Sequence, residues 1–143
     1  MNVALYDLHS IDDSKLSIAT VMARYLDKWI FVRCKEETTW QIPGGHREEN
    51  ESIRQAASRE LIEETGAEQF NLIPICISFV LDGEMESFGV LYYSKIERLG
   101  ELPDSEIEEV ALFETLPKEQ SFPDVHPILF EKAEEFERSL MLL

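Results

Sequence analysis

The segment Gly45-His46-Arg47-Glu48-Glu49-Asn50-Glu51-Ser52-Ile53-Arg54-Gln55-Ala56-Ala57-Ser58-Arg59-Glu60-Leu61-Ile62-Glu63-Glu64-Thr65-Gly66-Ala67 decides the fold. Ser52 followed by Gln55 is a capping box, in which hydroxyl and side-chain amide satisfy each other's free backbone donors. Gly66 supplies the left-handed residue at which helices commonly stop. The spacing predicts a helix between them. At about 100° per residue, Ile53, Ala56, Ala57 and Leu61 share one broad face. Glu60 and Glu64 fall inside that face, and Glu63 lies at its edge. A solvated acidic run would lie opposite the apolar stripe. Carboxylates turned toward an interior need a partner. Arg59, the only cation in the last two turns, cannot neutralise three glutamates.

Carboxylates at i, i+3 and i+4 converge on a point just off the helix, and they repel one another unless a cation stands between them. Oxygen-only donors suit a hard ion, Mg²⁺ or Mn²⁺, rather than zinc. Upstream, Ile42-Pro43-Gly44-Gly45-His46 reads as a strand end followed by two glycines, which let backbone come close to a ligand. A metal cluster beside a glycine turn points to phosphate chemistry, where the ion offsets phosphate charge and activates water. The competing reading is a charged helix face balanced by surface lysines.

Gly45, five residues, Glu51, seven residues, then Arg59-Glu60-Leu61-Ile62-Glu63-Glu64-Thr65-Gly66-Ala67 resembles the Nudix box at every fixed position. Ala67 is small for the closing aliphatic, which touches packing rather than chemistry. Trp40-Gln41-Ile42-Pro43-Gly44-Gly45 and Glu48 resemble the family's usual lead-in. The resemblance implies an α/β (α+β) fold, an α/β/α sandwich with a mixed sheet and a loop–helix–loop catalytic motif. It implies hydrolysis of a nucleoside diphosphate linked to another group, by water attacking phosphorus, with Mg²⁺ or Mn²⁺. Carried over residue by residue, Glu60, Glu63 and Glu64 would be metal ligands, and the Gly44 carbonyl would complete the shell. Arg59 and Glu51 would pair across the loop and orient them. Glu48 is either a loop acid or a further ligand through water. Gly45 would lie against the substrate. Trp40 is either core or a wall for base stacking, and His46 either a solvated loop residue or a base. In the family, a glutamate leading into a late strand often reaches back to the cluster; Glu106 fits that place, ahead of Glu109, against the reading of a solvated loop acid.

Substrate markers downstream are soft. Leu81-Asp82-Gly83 lacks the proline that ADP-ribose hydrolases share, and Glu84-Met85 stands where dinucleoside polyphosphate hydrolases tend to carry tyrosine. The marks of NADH and coenzyme A members are absent. What is left resembles the nucleoside-triphosphate group, including hydrolases of oxidised triphosphates such as 8-oxo-dGTP. The alternatives are an RNA 5′-end pyrophosphohydrolase, an ADP-ribose or nucleotide-sugar pyrophosphatase, and, from other classes, a silent nucleotide-binding module or a cation buffer.

Outside the box, the chain reads as one domain over residues 1–143, with no repeat or linker. Strands are expected at Val3–Leu8, Leu16–Tyr25, Trp29–Cys34, Trp40–Ile42, Leu72–Leu81, Phe88–Ile96 and Val110–Phe113. Turns are expected at Asp27-Lys28 and Asp82-Gly83, a solvated loop from Glu101 to Glu109, and a last helix from Pro127 to Leu140. Hydrophobic residues make up 44% of the chain, which excludes global disorder. With 13 Lys and Arg against 29 Asp and Glu, the net charge is −16, which excludes generic duplex nucleic-acid binding and docking on anionic membranes. The expected partner is a small nucleotide, for a monomer or homodimer. Cys34 and Cys76 form no disulfide framework or zinc spacing and read as buried thiols. Met1-Asn2-Val3-Ala4-Leu5 has neither a basic start nor a long apolar run, so a cytoplasmic chain is expected.

Overall fold

A computed structural model describes residues 1–142. Its strands are β1 (Asn2–Tyr6), β2 (Leu16–Tyr25), β3 (Lys28–Cys34), β4 (Gly44–His46), β5 (Ala67–Phe70), β6 (Ile73–Asp82), β7 (Met85–Leu99) and β8 (Ile107–Phe113); its helices are α1 (Ile53–Thr65) and α2 (His126–Leu140). The sheet runs β1-β6-β7-β2-β3-β8, with β4 alongside β2 and β5 alongside β7. Only β2 and β7 pair in parallel. The sheet is therefore mixed, as expected.

A helix covers each face, which explains why the central strands read as continuous apolar runs rather than alternating ones. Ala19, Val21, Ala23, Ile30, Val32, Val90 and Tyr92 turn to one side, where α1 adds Ile53, Ala56, Ala57 and Leu61. Met22, Trp29, Phe31, Leu91 and Tyr93 turn to the other, where α2 adds Leu129, Phe130 and Ala133. The result is the α/β/α sandwich.

Local chemistry shifts several expected boundaries. The turn between β2 and β3 is Leu26-Asp27, one residue early, with φ of 52° and 63° at the two residues. That is the all-left-handed turn whose twist matches a hairpin. The β6–β7 hairpin pairs Asp82 with Met85, so its loop is Gly83-Glu84, with Gly83 at φ 65°. Trp40–Ile42 is not a strand. Gln41 bridges Val32 and Trp40 bridges Gln120, and regular pairing with β2 begins only at Gly44, since Pro43 has no N–H to extend a ladder. The acidic stretch is not wholly loop: Glu108 and Glu109 belong to β8, where Glu109 meets Arg33 at 3.1 Å. Cys34 is only partly buried, whereas Cys76 is buried.

One polar tie fixes α2 to the sheet. Arg24 donates to both carboxylate oxygens of Glu137 at 2.8 and 2.7 Å, and Tyr93 donates to the same group at 2.8 Å. The Arg24 guanidinium also lies 3.9 Å from the Trp29 ring centre. Burial, together with the bond to Glu137, pushes the Tyr93 hydroxyl above its usual range. Glu137→Ala leaves that hydroxyl unpaired and leaves the half-buried guanidinium only the Asp27 carbonyl as an acceptor, so urea unfolding is expected to show a loss of about 1–3 kcal/mol. A change below about 0.5 kcal/mol, the range of ordinary surface substitutions, would show that the tie does not hold the helix.

Candidate active site

Helix α1 begins and ends where its caps dictate. Ser52 Oγ accepts from the Gln55 amide at 3.0 Å, and Gln55 Oε1 accepts from the Ser52 amide at 2.8 Å. Gly66 sits at φ 80° and donates to Ile62. These caps set where the helix starts and stops, and burial of Ile53, Ala56, Ala57 and Leu61 sets its rotation and with it where its glutamates point.

Arg59 organises one half of the cluster. Its Nε and Nη2 donate to Glu51 at 2.7 and 3.0 Å, its Nη1 to Glu60 at 2.7 Å, and its Nη2 to the His46 carbonyl at 3.0 Å. Glu63 and Glu48 lie 3.4 and 3.7 Å away. The guanidinium and the Glu48 amide hold the Glu51 carboxyl down at about 2. The expected pairing of Arg59 with Glu51 across the loop is present.

Glu64 is the other half. It is only 4% exposed. Its hydrogen-bond donor is the Gly44 amide, at 2.9 Å. Burial pushes its carboxyl up to about 8, and the charges of Glu60, Glu106 and Glu63 add to that against the pull of the amide. Burial raises Glu60 too, opposed by Arg59. Glu106, at the entrance to β8, acts on both from the opposite wall. Its backbone is pinned there by the Lys35 amide, which donates to the Glu106 carbonyl at 2.8 Å. The structure thus brings Glu48, Glu51, Arg59, Glu60, Glu63, Glu64, Glu106, Gly44 and Gly45 together.

Trp40 stands apart. Its ring packs edge-on against Phe113, 5.1 Å between centres, and it is not part of the cleft wall described next.

A cleft of about 560 Å³ opens beside Gly44, Gly45 and the exposed His46. Its walls come from β2, β6, β7 and the segment leading into α2, with Ile18, Thr20, Ser78, Ser87, Phe122 and His126 among them. Gly45 joins cleft to cluster: a Cβ there would come within 2.6 Å of the Glu60 carboxyl carbon. Sequence reasoning missed Phe122 and His126. Nothing local marks them, because it is the packing of α2 on the sheet that sets them against β2 and β7.

Among the described residues, no three His, Cys, Asp or Glu side chains are already closed to metal-ligand spacing. Glu60 and Glu51 are instead turned to Arg59. The donor chemistry nonetheless fits a hard divalent ion: the donors are all oxygen, and a buried carboxylate faces like charges on two walls.

The sign of the Glu64 shift makes a testable point. A carboxyl whose folded pKa lies above its unfolded value of 4.5 takes up a proton on folding. Its contribution is fully present below pH 4.5 and is lost as pH rises through about 8. In EDTA, the melting temperature is expected to fall from pH 5 to pH 8, and Glu64→Gln to flatten that slope. An identical slope in the variant would show that Glu64 ionises freely.

The NUDIX domain profile matches residues 19–129. Bacillus subtilis (strain 168) YtkD, provisionally assigned as an 8-oxo-dGTP diphosphatase, is 32% identical over 117 residues, 78% of this chain and 73% of that one. The crystal structure of the Bacillus subtilis pyrophosphohydrolase BsRppH superposes with a TM-score of 0.79 at 28% identity, covering 93% of this chain and 90% of the other. A UDP-X diphosphatase structure shares the fold at a TM-score of 0.74 and 18% identity, over 92% of this chain and 67% of that one. Matched by the profile over most of its length, and carrying the complete box on α1 and the loop before it, the chain belongs to the Nudix hydrolase family.

Proposed function

We propose that residues 1–143 form a single Nudix domain that hydrolyses a nucleoside triphosphate, normal or oxidised, to the monophosphate and pyrophosphate, using Mg²⁺ or Mn²⁺. The observation that carries this reading is Glu64: a buried carboxyl facing the charges of Glu60, Glu63 and Glu106, bonded to Gly44 at the edge of a cleft of nucleotide size. The cleft wall contains no Lys or Arg, so it suits the neutral base of a nucleotide rather than its phosphates. The likeness to YtkD supports an oxidised purine triphosphate as the first substrate to try.

On this reading Glu60, Glu63, Glu64 and the Gly44 carbonyl hold the cation, with Glu106 from the opposite wall and Glu48 through water. The bound ion would offset phosphate charge and lower the pKa of a water. Arg59 and Glu51 keep the Glu60 carboxylate oriented, and Gly45 leaves room for it. Water oxygen attacks phosphorus, the P–O anhydride bond breaks toward the pyrophosphate leaving group, and a carboxylate takes the water proton. Glu106, exposed and without an ion-pair partner among the described residues, would serve as that carboxylate where it does not itself ligate the cation.

The test is substrate consumption, with the products resolved by ion-exchange chromatography, over a panel of normal and oxidised nucleoside triphosphates, ADP-ribose, diadenosine polyphosphate and a 5′-triphosphorylated oligoribonucleotide; only the triphosphates can release pyrophosphate. The highest kcat/KM is expected on a mononucleoside triphosphate, with activity abolished by EDTA and restored by Mg²⁺ or Mn²⁺. Glu63→Gln and Glu64→Gln should each lower kcat by about 100-fold or more, the scale of losing one electrostatic contact at a reacting centre. Glu106→Gln should lower it about tenfold or more, within the range of a lost proton-transfer group, while Glu108→Gln has no effect. Full activity in EDTA, or near-wild-type rates in the Glu63 and Glu64 variants, would overturn the reading.

A further inference from the structure

We infer that His126 reads the nucleobase: its imidazole is the hydrogen-bonding contact in the cleft wall that sets which base the enzyme prefers. The inference rests on the nucleotide reading above and deepens it. His126 opens α2, is 5% exposed, and belongs to the cleft wall. Four buried side-chain polar atoms have no partner among the described residues: Trp29 Nε1, Ser94 Oγ, Gln120 Oε1 and His126 Nδ1. Only the last belongs to a residue lining this cleft.

Position and charge agree. Gly45 separates the cleft from the Glu60 carboxylate, so an anhydride held at the glutamates leaves the rest of a nucleotide to occupy the cleft. The charged side chains on its wall other than the histidines are Asp82 and Glu86, which repel phosphate and leave a neutral heterocycle as the fitting occupant. Phe122 shares the wall and stands edge-on to the imidazole, 5.3 Å between ring centres. Burial alone keeps this imidazole neutral at pH 7.

A neutral imidazole has one donor and one acceptor nitrogen. Nδ1 is covered, so a base seated in the cleft meets the ring at Nε2, which has no hydrogen bond among the described residues: the base offers an N–H where Nε2 accepts, or a carbonyl or bare ring nitrogen where Nε2 donates. A base with the wrong group at that place covers Nε2 and leaves it unpaired, which is how a polar site rejects an analogue. His126 is thus a specificity contact and takes no part in bond breaking.

The measurement is kcat/KM for GTP, ATP, CTP, UTP, dGTP and 8-oxo-dGTP with the wild-type chain, His126→Leu and His126→Gln. The ratio between best and worst base is the readout, because a change in the folded fraction cancels from it. The wild type should show a clear preference. His126→Leu should compress the ratio about tenfold or more, through KM of the preferred base with kcat within about threefold, as expected when binding and not chemistry is altered. His126→Gln, which keeps a donor and an acceptor, should retain part of the preference or re-rank the bases. If His126→Leu fails to fold, His126→Gln decides: an unchanged ranking and ratio overturn the assignment. An unchanged ratio in a cooperatively melting His126→Leu protein also overturns it, as does a wild type indifferent to base; in both cases the nucleoside-triphosphate reading stands. A wild type that hydrolyses none of the six overturns that reading and this assignment together.

Discussion

A carboxylate buried among other carboxylates is the constraint on which this site depends. Glu64 receives one backbone hydrogen bond, from Gly44, and faces the charges of Glu60, Glu63 and Glu106. Proteins keep such a group only where something offsets the desolvation and repulsion. Arg59 does not do so for Glu64, because its donors go to Glu51, Glu60, Glu63 and the His46 carbonyl. The cluster is therefore half neutralised by its own arginine and half left with excess negative charge. A divalent cation matches that remainder in charge and in its preference for oxygen.

The fold serves this arrangement from three directions. The caps of α1 fix its ends and the buried apolar stripe fixes its rotation, so the stripe and Glu64 enter the interior together. The β4 pairing with β2 brings Gly44 and Gly45 beneath the helix, where absence of a side chain at Gly45 lets the Glu60 carboxylate approach. The β3–β8 pairing, through Cys34 and Ile107, sets Glu106 across from the helix. The parallel β2–β7 pair then forms the floor of the cleft, and α2, tied to the sheet through Glu137, closes it with His126.

What was legible in the sequence was what depends on neighbours along the chain. The capping box, the terminal glycine and the helical phase of Glu60 and Glu64 are local, and they predicted both the helix and the inward carboxylate. Pairings between distant segments were less legible. The Trp40–Ile42 strand failed because Pro43 interrupts the ladder and the true pairing partner of β2 lies two residues on, at Gly44. β5 went unseen because Ala67–Phe70 is ordered by its pairing with the end of β7. The acidic run into β8 read as loop because its strand character comes from cross-strand partners such as Arg33. Trp40 offered two readings, and its contact with Phe113 could only be seen once β8 was in place. His126 carried no signal at all, since its significance lies in its place in a cleft wall assembled from segments far apart in the sequence.

The central claim is that the charge on the Glu64 side of the cluster is completed by a divalent cation. Calorimetric titration of Mn²⁺ into metal-free protein at pH 7, repeated in buffers of different ionisation enthalpy, tests it most directly. A carboxyl held at about 8 is largely protonated at that pH and must give up its proton to bind a metal. The account predicts saturable binding accompanied by proton release, with the released proton lost in Glu64→Gln. Binding with no proton exchange, or no binding by a protein that still turns over nucleotide, would contradict it.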